Sequence, residues 1–123
     1  MIYLTKSLVK MNTNKYRLKT SSISRVPFKT YDDFTFIVNN KLFKTTRIIA
    51  DLLSKKICKF HQVDPTLDFI TISTEEQGDF NYFLNLINFK ENQIPQAEIP
   101  FISEIIEKLE TESIEIQEQE REV

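Results

Sequence analysis

From Asp33 the chain alternates. Phe34, Phe36 and Val38 take every second place, with Thr35 and Ile37 between them, and Asn39-Asn40 follows before Leu42-Phe43. Period-two spacing is the signature of a strand, and apolar residues at both parities expect two faces that are at least partly covered. Asn tolerates positive φ, which a two-residue hairpin turn requires. A hairpin of 33–38 and 41–45 is therefore expected. The period then changes. Ile48, Ile49, Leu52, Leu53, Ile57 and Phe60 recur at three and four, a helical stripe, with Thr45 or Thr46 able to cap it and Ser54 able to cap a second short helix over 55–61.

Asp64-Pro65 reads as a turn. Ile70 and Ile72 alternate with Thr71 and Ser73, a third strand at about 69–73. Thr74-Glu75-Glu76-Gln77 fits a capping box, with Asp79 as a rival cap. Phe80, Phe83, Leu84 and Ile87 share one helical face, widened by Tyr82, Leu86 and Phe89. Ile99, Ile102, Ile106 and Leu109 outline a last core helix, whose first turn accepts Pro100. The order strand, strand, helix, helix, strand, helix, helix has no β-α-β alternation. It expects a small α+β domain: a short, mainly three-stranded sheet packed against four or so helices.

Charge divides the 123 residues unequally. Residues 1–30 carry seven bases and no acid, residues 31–90 seven bases and eight acids, and residues 91–123 two bases and ten acids. The balanced middle is the expected folded part. Residues 1–30 read as a basic, disordered arm, 31–110 as the domain, and 111–123 as an acidic tail or frayed helix. The core stripes accordingly begin at Phe34.

Composition excludes several chemistries. A lone Cys allows neither an intrachain disulfide nor a four-cysteine metal site, and it suits a reducing compartment. A lone glycine, Gly78, excludes glycine-rich phosphate loops. No apolar run approaches the roughly 18 residues of a membrane span. Cys58 and His61, three apart on a helix, are the only thiol–imidazole pair the chain can offer. No motif supplies an orienting third group, so Cys58 is expected as a buried small residue and His61 at the surface or in a loop. Glu104, Glu107 and Glu110 are expected on a solvated helix face. No cofactor, metal or catalytic residue is expected.

The segment Asp33 to Lys44 resembles the opening hairpin of a BTB/POZ domain: Asp, an alternating strand, a two-residue turn and a second strand centred on Phe43. Thr46 to Ser54 resembles the family's next helix, which ends in Ser before another short helix. Ile70-Thr71-Ile72 resembles its third strand, Phe80 to Ile87 its Phe-led helix, and Ile99 to Leu109 the helix after that. The likeness covers about 32–110 and is similar to BTB-like segments that precede ankyrin repeats in some unicellular eukaryotes. Thr45-Thr46 replaces the family's frequent Ala-His, and Asn88-Phe89-Lys90 its Tyr-Thr-Gly.

The resemblance implies a non-enzymatic protein-interaction module in the cytoplasm or nucleus. It would dimerise or dock a protein partner through helix faces, with Phe60, Phe89, Ile48, Leu52 and Tyr82 as interface candidates. A cullin scaffold is a further implied partner, although the loop from Phe60 to Pro65 lacks the apolar-x-Glu motif of cullin-recruiting members. Nucleic-acid binding by the basic arm, with Tyr3, Tyr16 and Phe28 available to stack, is the alternative from another class. Its rival is pairing of the arm with the acidic tail. Mitochondrial import of the arm is a lesser reading, since Lys outnumbers Arg in it.

Overall fold

The computed structural model describes residues 13–25 and 33–118. They form an α+β fold with two three-stranded sheets and four α-helices. In chain order the elements are β1 (Thr13–Leu18), β2 (Asp33–Val38), β3 (Lys41–Thr46), α1 (Arg47–Leu53), α2 (Lys55–Val63), β4 (Phe69–Ile72), α3 (Asn81–Leu84), β5 (Asn92–Pro95), α4 (Ile99–Leu109) and β6 (Ile114–Glu118). Short 3-10 turns cover Thr20–Arg25, Asn85–Asn88 and Gln96–Glu98.

The hairpin forms as its residues dictate. Asn39 and Asn40 both take positive φ, 50° and 69°, and the register runs from Asp33 opposite Thr46 to Val38 opposite Lys41. Phe34, Phe36 and Val38 are buried while Thr35 and Ile37 are half-covered. β4 then pairs with β2 in parallel, giving the order β3-β2-β4. Beneath this sheet Phe34, Phe36, Phe80 and Phe83 are buried, with successive ring centroids 5.0–5.4 Å apart.

Helix boundaries follow side-chain hydroxyls. Thr46 Oγ1 accepts from Ile49 N–H at 3.3 Å. Ser54 closes α1 and caps α2, its Oγ accepting from Ile57 N–H at 3.0 Å. The same hydroxyl donates to the Leu109 carbonyl at 2.6 Å. Thr111 Oγ1 donates to the Leu53 carbonyl at 2.7 Å. The corner between α1 and α2 is thus tied to the end of α4, where Glu110 reverses the chain at φ 55°.

The expected capping box at Thr74 does not form. Asn39 uses both polar groups of Thr74: its Oδ1 accepts from Thr74 N–H at 2.9 Å and its Nδ2 donates to Thr74 Oγ1 at 2.8 Å. Asp79, the rival, instead accepts from Asn81 N–H at 2.9 Å. The helix that follows is shorter than its apolar face predicts. It passes from α3 into a 3-10 turn and stops at Phe89, which has φ 59°. Gly78 lets this segment close on α4. A Cβ there would lie 2.6 Å from the ring of buried Phe101.

Both ends of the chain depart from expectation. Residues 13–18 are not an arm but the central strand of a second sheet, ordered β5-β1-β6. Residues 114–118 are not a frayed tail but its edge. Tyr16 and Leu18 are buried, so among the described residues the core begins at Tyr16 rather than Phe34. The reason is pairing: β1 has too few apolar residues to form a core alone, but antiparallel neighbours on both sides satisfy its backbone. The expectations for residues 1–12, 26–32 and 119–123 fall outside the described residues.

Candidate functional site

The five interface candidates separate by burial. Leu52 is buried in the core, so it is not available to a partner and that expectation is corrected. It lies on the α1 stripe that faces inward together with Leu53 and Ala50. Ile48, Tyr82 and Phe89 are half-buried and pack against the core. Phe60 stands 43% exposed on α2, and Val63, one turn further on, is 88% exposed. The opposite side of α2 buries Ile57, Cys58 and His61. An amphipathic helix normally turns polar residues outward; α2 does so with Lys59 and Gln62, but exposes an aromatic ring and a branched aliphatic side chain beside them. Lys56 Nζ lies 6.0 Å from the Phe60 ring centre, within reach of a weak cation–π contact.

Further apolar surface, not anticipated, lies on the outer face of the hairpin sheet. Because Phe34, Phe36 and Val38 point inward, the register puts Ile37 beside Leu42 and Thr71, and Phe69 beside Thr35, on the opposite face. Leu42 and Phe69 are exposed. The signal was in the sequence: Phe69 and Leu42 have the parity opposite to the inward residues of their own strands.

Both ring nitrogens of His61 face partners other than Cys58. Cys58 is buried. His61 is also buried, against the expectation of a surface position. Its Nδ1 lies 2.5 Å from Asp51 Oδ1, and its Nε2 lies 2.8 Å from the Leu67 carbonyl. Oxygen atoms of Asp51 and Leu67 thus face the two ring nitrogens. The group ties α1 and α2 to the loop before β4. No sequence signal joined Asp51 to His61, because ten residues and a helix break separate them.

Part of the basic N-terminal charge meets acid. Arg17 pairs with Glu115 across β1 and β6, and Lys15 Nζ lies 3.7 Å from Glu91 Oε1. Among the described residues no group of three or more His, Cys, Asp or Glu is placed to hold a metal ion. Among the same residues no helix is long and apolar enough to cross a membrane. In comparisons with known proteins, no family model, no curated protein and no solved structure matches the chain.

Proposed function

We propose that the chain is a non-enzymatic protein-interaction module of the BTB/POZ type, working in the cytoplasm or nucleus. The observation that carries the reading is the exposed apolar pair on α2, Phe60 and Val63 at i and i+3, beside the exposed Lys59 and Gln62. Exposed apolar surface beyond scattered single residues is typical of protein-binding sites. The element order supports the family reading: a hairpin, two helices joined at Ser54, a third strand beside the first, a Phe80-led helix and a later core helix. The nucleic-acid reading is the weaker one, because Arg17 and Lys15 already face Glu115 and Glu91.

Docking would bury Phe60 and Val63 against an apolar surface of a partner protein or of a second copy. In a two-fold dimer each subunit would offer the same patch. The test is Phe60→Asp, followed by sedimentation analysis for self-association and by partner capture from a native extract. A carboxylate at the centre of a contact loses apolar burial and leaves a poorly solvated charge. Association should weaken about tenfold or more while circular dichroism stays unchanged. Wild-type association by a folded Phe60→Asp protein would move the contact off α2. Phe89→Asp is the contrasting variant: its ring packs on the core, so loss of fold is the expected result there.

A further inference from the structure

We propose that the free edge of β4 takes up an extended acidic peptide as an added strand, held between Lys56 and Lys108. The inference rests on the reading of the chain as an interaction module, and it supplies the chemistry of a partner at a second surface.

Among the described residues the order β3-β2-β4 leaves one side of β4 without a neighbouring strand. Thr35 N–H donates to the Asp68 carbonyl and Asn39 N–H to the Ile72 carbonyl, both at 2.9 Å. These even-numbered residues therefore turn their backbone groups toward β2. By the alternation of a strand, Phe69, Thr71 and Ser73 turn theirs outward. Among the described residues no hydrogen bond reaches those outward groups.

Strand edges are ordinarily guarded by charge or proline. The other three edges follow that rule. β3 carries Lys41 and Lys44, β6 carries Glu115, and β5 ends in Pro95. β4 and the Ser73 after it carry neither. This unguarded edge opens on a groove of about 400 Å³, whose walls include Lys56 from α2 and Lys108 and Leu109 from α4, and no acid. Neither lysine makes an ion pair among the described residues. Glu104, one turn before Lys108, feels the Lys108 charge as the least of the causes that lower its pKa, and its carboxylate is engaged first by the N–H groups of Glu76 and Glu75.

Backbone pairing along an open edge is a general mode of peptide recognition, with alternate side chains read by the surface beneath. Here that surface is two lysines beside Leu109. It selects Asp or Glu at positions i and i+2, which share a strand face roughly 7 Å apart. A second copy pairing through its own β4 would bring lysines to lysines, so charge favours an acidic partner.

The experiment presents full-length protein to a displayed library of ten-residue peptides. Enriched sequences should carry acid at alternating positions. The affinity of one selected peptide should fall at least tenfold in Lys56→Glu/Lys108→Glu, and should fall with added salt. Thr71→Pro removes only an outward N–H, which an edge strand tolerates, and should also abolish binding. The lysine double variant keeps the test open if Thr71→Pro fails to fold. Lack of any enrichment, enrichment without acid, or unchanged affinity in the folded variants would each overturn the proposal. Val63→Asp, on the same exposed α2 patch but seven residues along the helix from Lys56, separates the two readings. It should bind the selected peptide as the wild type does, and loss of self-association in it would stand even if the peptide selection failed.

Discussion

The two sheets are built by opposite means. β2 and β3 are adjacent in sequence, joined by two asparagines, and β4 returns after one helical hairpin. The other sheet draws its three strands from residues 13–18, 92–95 and 114–118, with Asn14 opposite Glu118. The first carries its pairing instructions locally, in turn chemistry and apolar alternation. The second is assembled by context: β1 becomes a strand because β5 and β6 are delivered to both its edges. Long-range pairing of this kind pays a loop-closure entropy before its contacts form. A short polar strand with two buried side chains can nonetheless be as necessary to the core as an aromatic hairpin.

The sharpest test of that equality compares Tyr16→Ala with Phe36→Ala. Both side chains are fully buried, one in each sheet. Each truncation leaves a cavity and should cost about 3–5 kcal/mol. Against a total of roughly 5–15 kcal/mol for a domain, either should lower the denaturation midpoint in urea strongly. Removing residues 1–18 should be at least as damaging as Tyr16→Ala, the reverse of what a dispensable arm would give. A cost below about 1 kcal/mol for Tyr16→Ala, with Phe36→Ala severe, would show that the second sheet is an accessory.

Legibility in the sequence follows the same division. The hairpin, the Ser54 break, the third strand and α4 were readable because their signals are local: parity, caps and a helical stripe. β6 had a signal that charge obscured. Ile114 and Ile116 alternate with Glu115 and Gln117, which is strand spacing inside an acidic run. Tyr16 and Leu18 alternate too, but two residues of that kind in a basic stretch decide nothing until a partner strand exists. Among the candidate site residues, Phe60 is exposed although its spacing puts it on the same helical stripe as buried Ile57. Leu52 was not separable from it, since both lie on one broad stripe and only tertiary packing shows which part of the stripe is covered. The Asp51–His61 pair had no local signal at all.

The join between the two regions offers a smaller effect. Ser54 Oγ both caps α2 and donates to Leu109, just before the chain turns toward β6. Ser54→Ala loses a cap and leaves a buried carbonyl short of a donor, about 1–3 kcal/mol together. The loss should speed amide exchange in β6 more than in β2, because the anchored element is the end of α4. Equal acceleration in both sheets would instead mean that they open as one cooperative unit.

The smallest expected effect distinguishes the loops on either side of β4 and is read by pH. Before β4, Asp64 accepts from the Thr66 hydroxyl at 2.6 Å and the Thr66 N–H at 3.1 Å. After β4, Glu104 accepts from the N–H groups of Glu76 and Glu75. Hydrogen bonding to the ionised form holds both carboxyls below their usual values, with the Thr66 hydroxyl the first cause for Asp64 and the Glu76 N–H the first for Glu104. A carboxyl whose folded pKa is lowered binds fewer protons in the folded than in the unfolded state. Its contribution is therefore complete above the ordinary range near pH 4.5 for Glu104 and pH 3.8 for Asp64, and is lost as pH falls through the lowered folded values. Acid should release the 75–76 turn and the Asp64 turn while the β2–β3 hairpin persists. The measurement is the chemical shift of the Glu75, Glu76 and Thr66 amide protons during acid titration. Glu104→Gln should remove the part of the change at Glu75 and Glu76 that comes from the hydrogen bonds to Glu104 and leave that at Thr66 intact. Simultaneous loss of all three signals together with the hairpin amides, at one pH, would show that acid acts on the whole fold rather than on the turns beside β4.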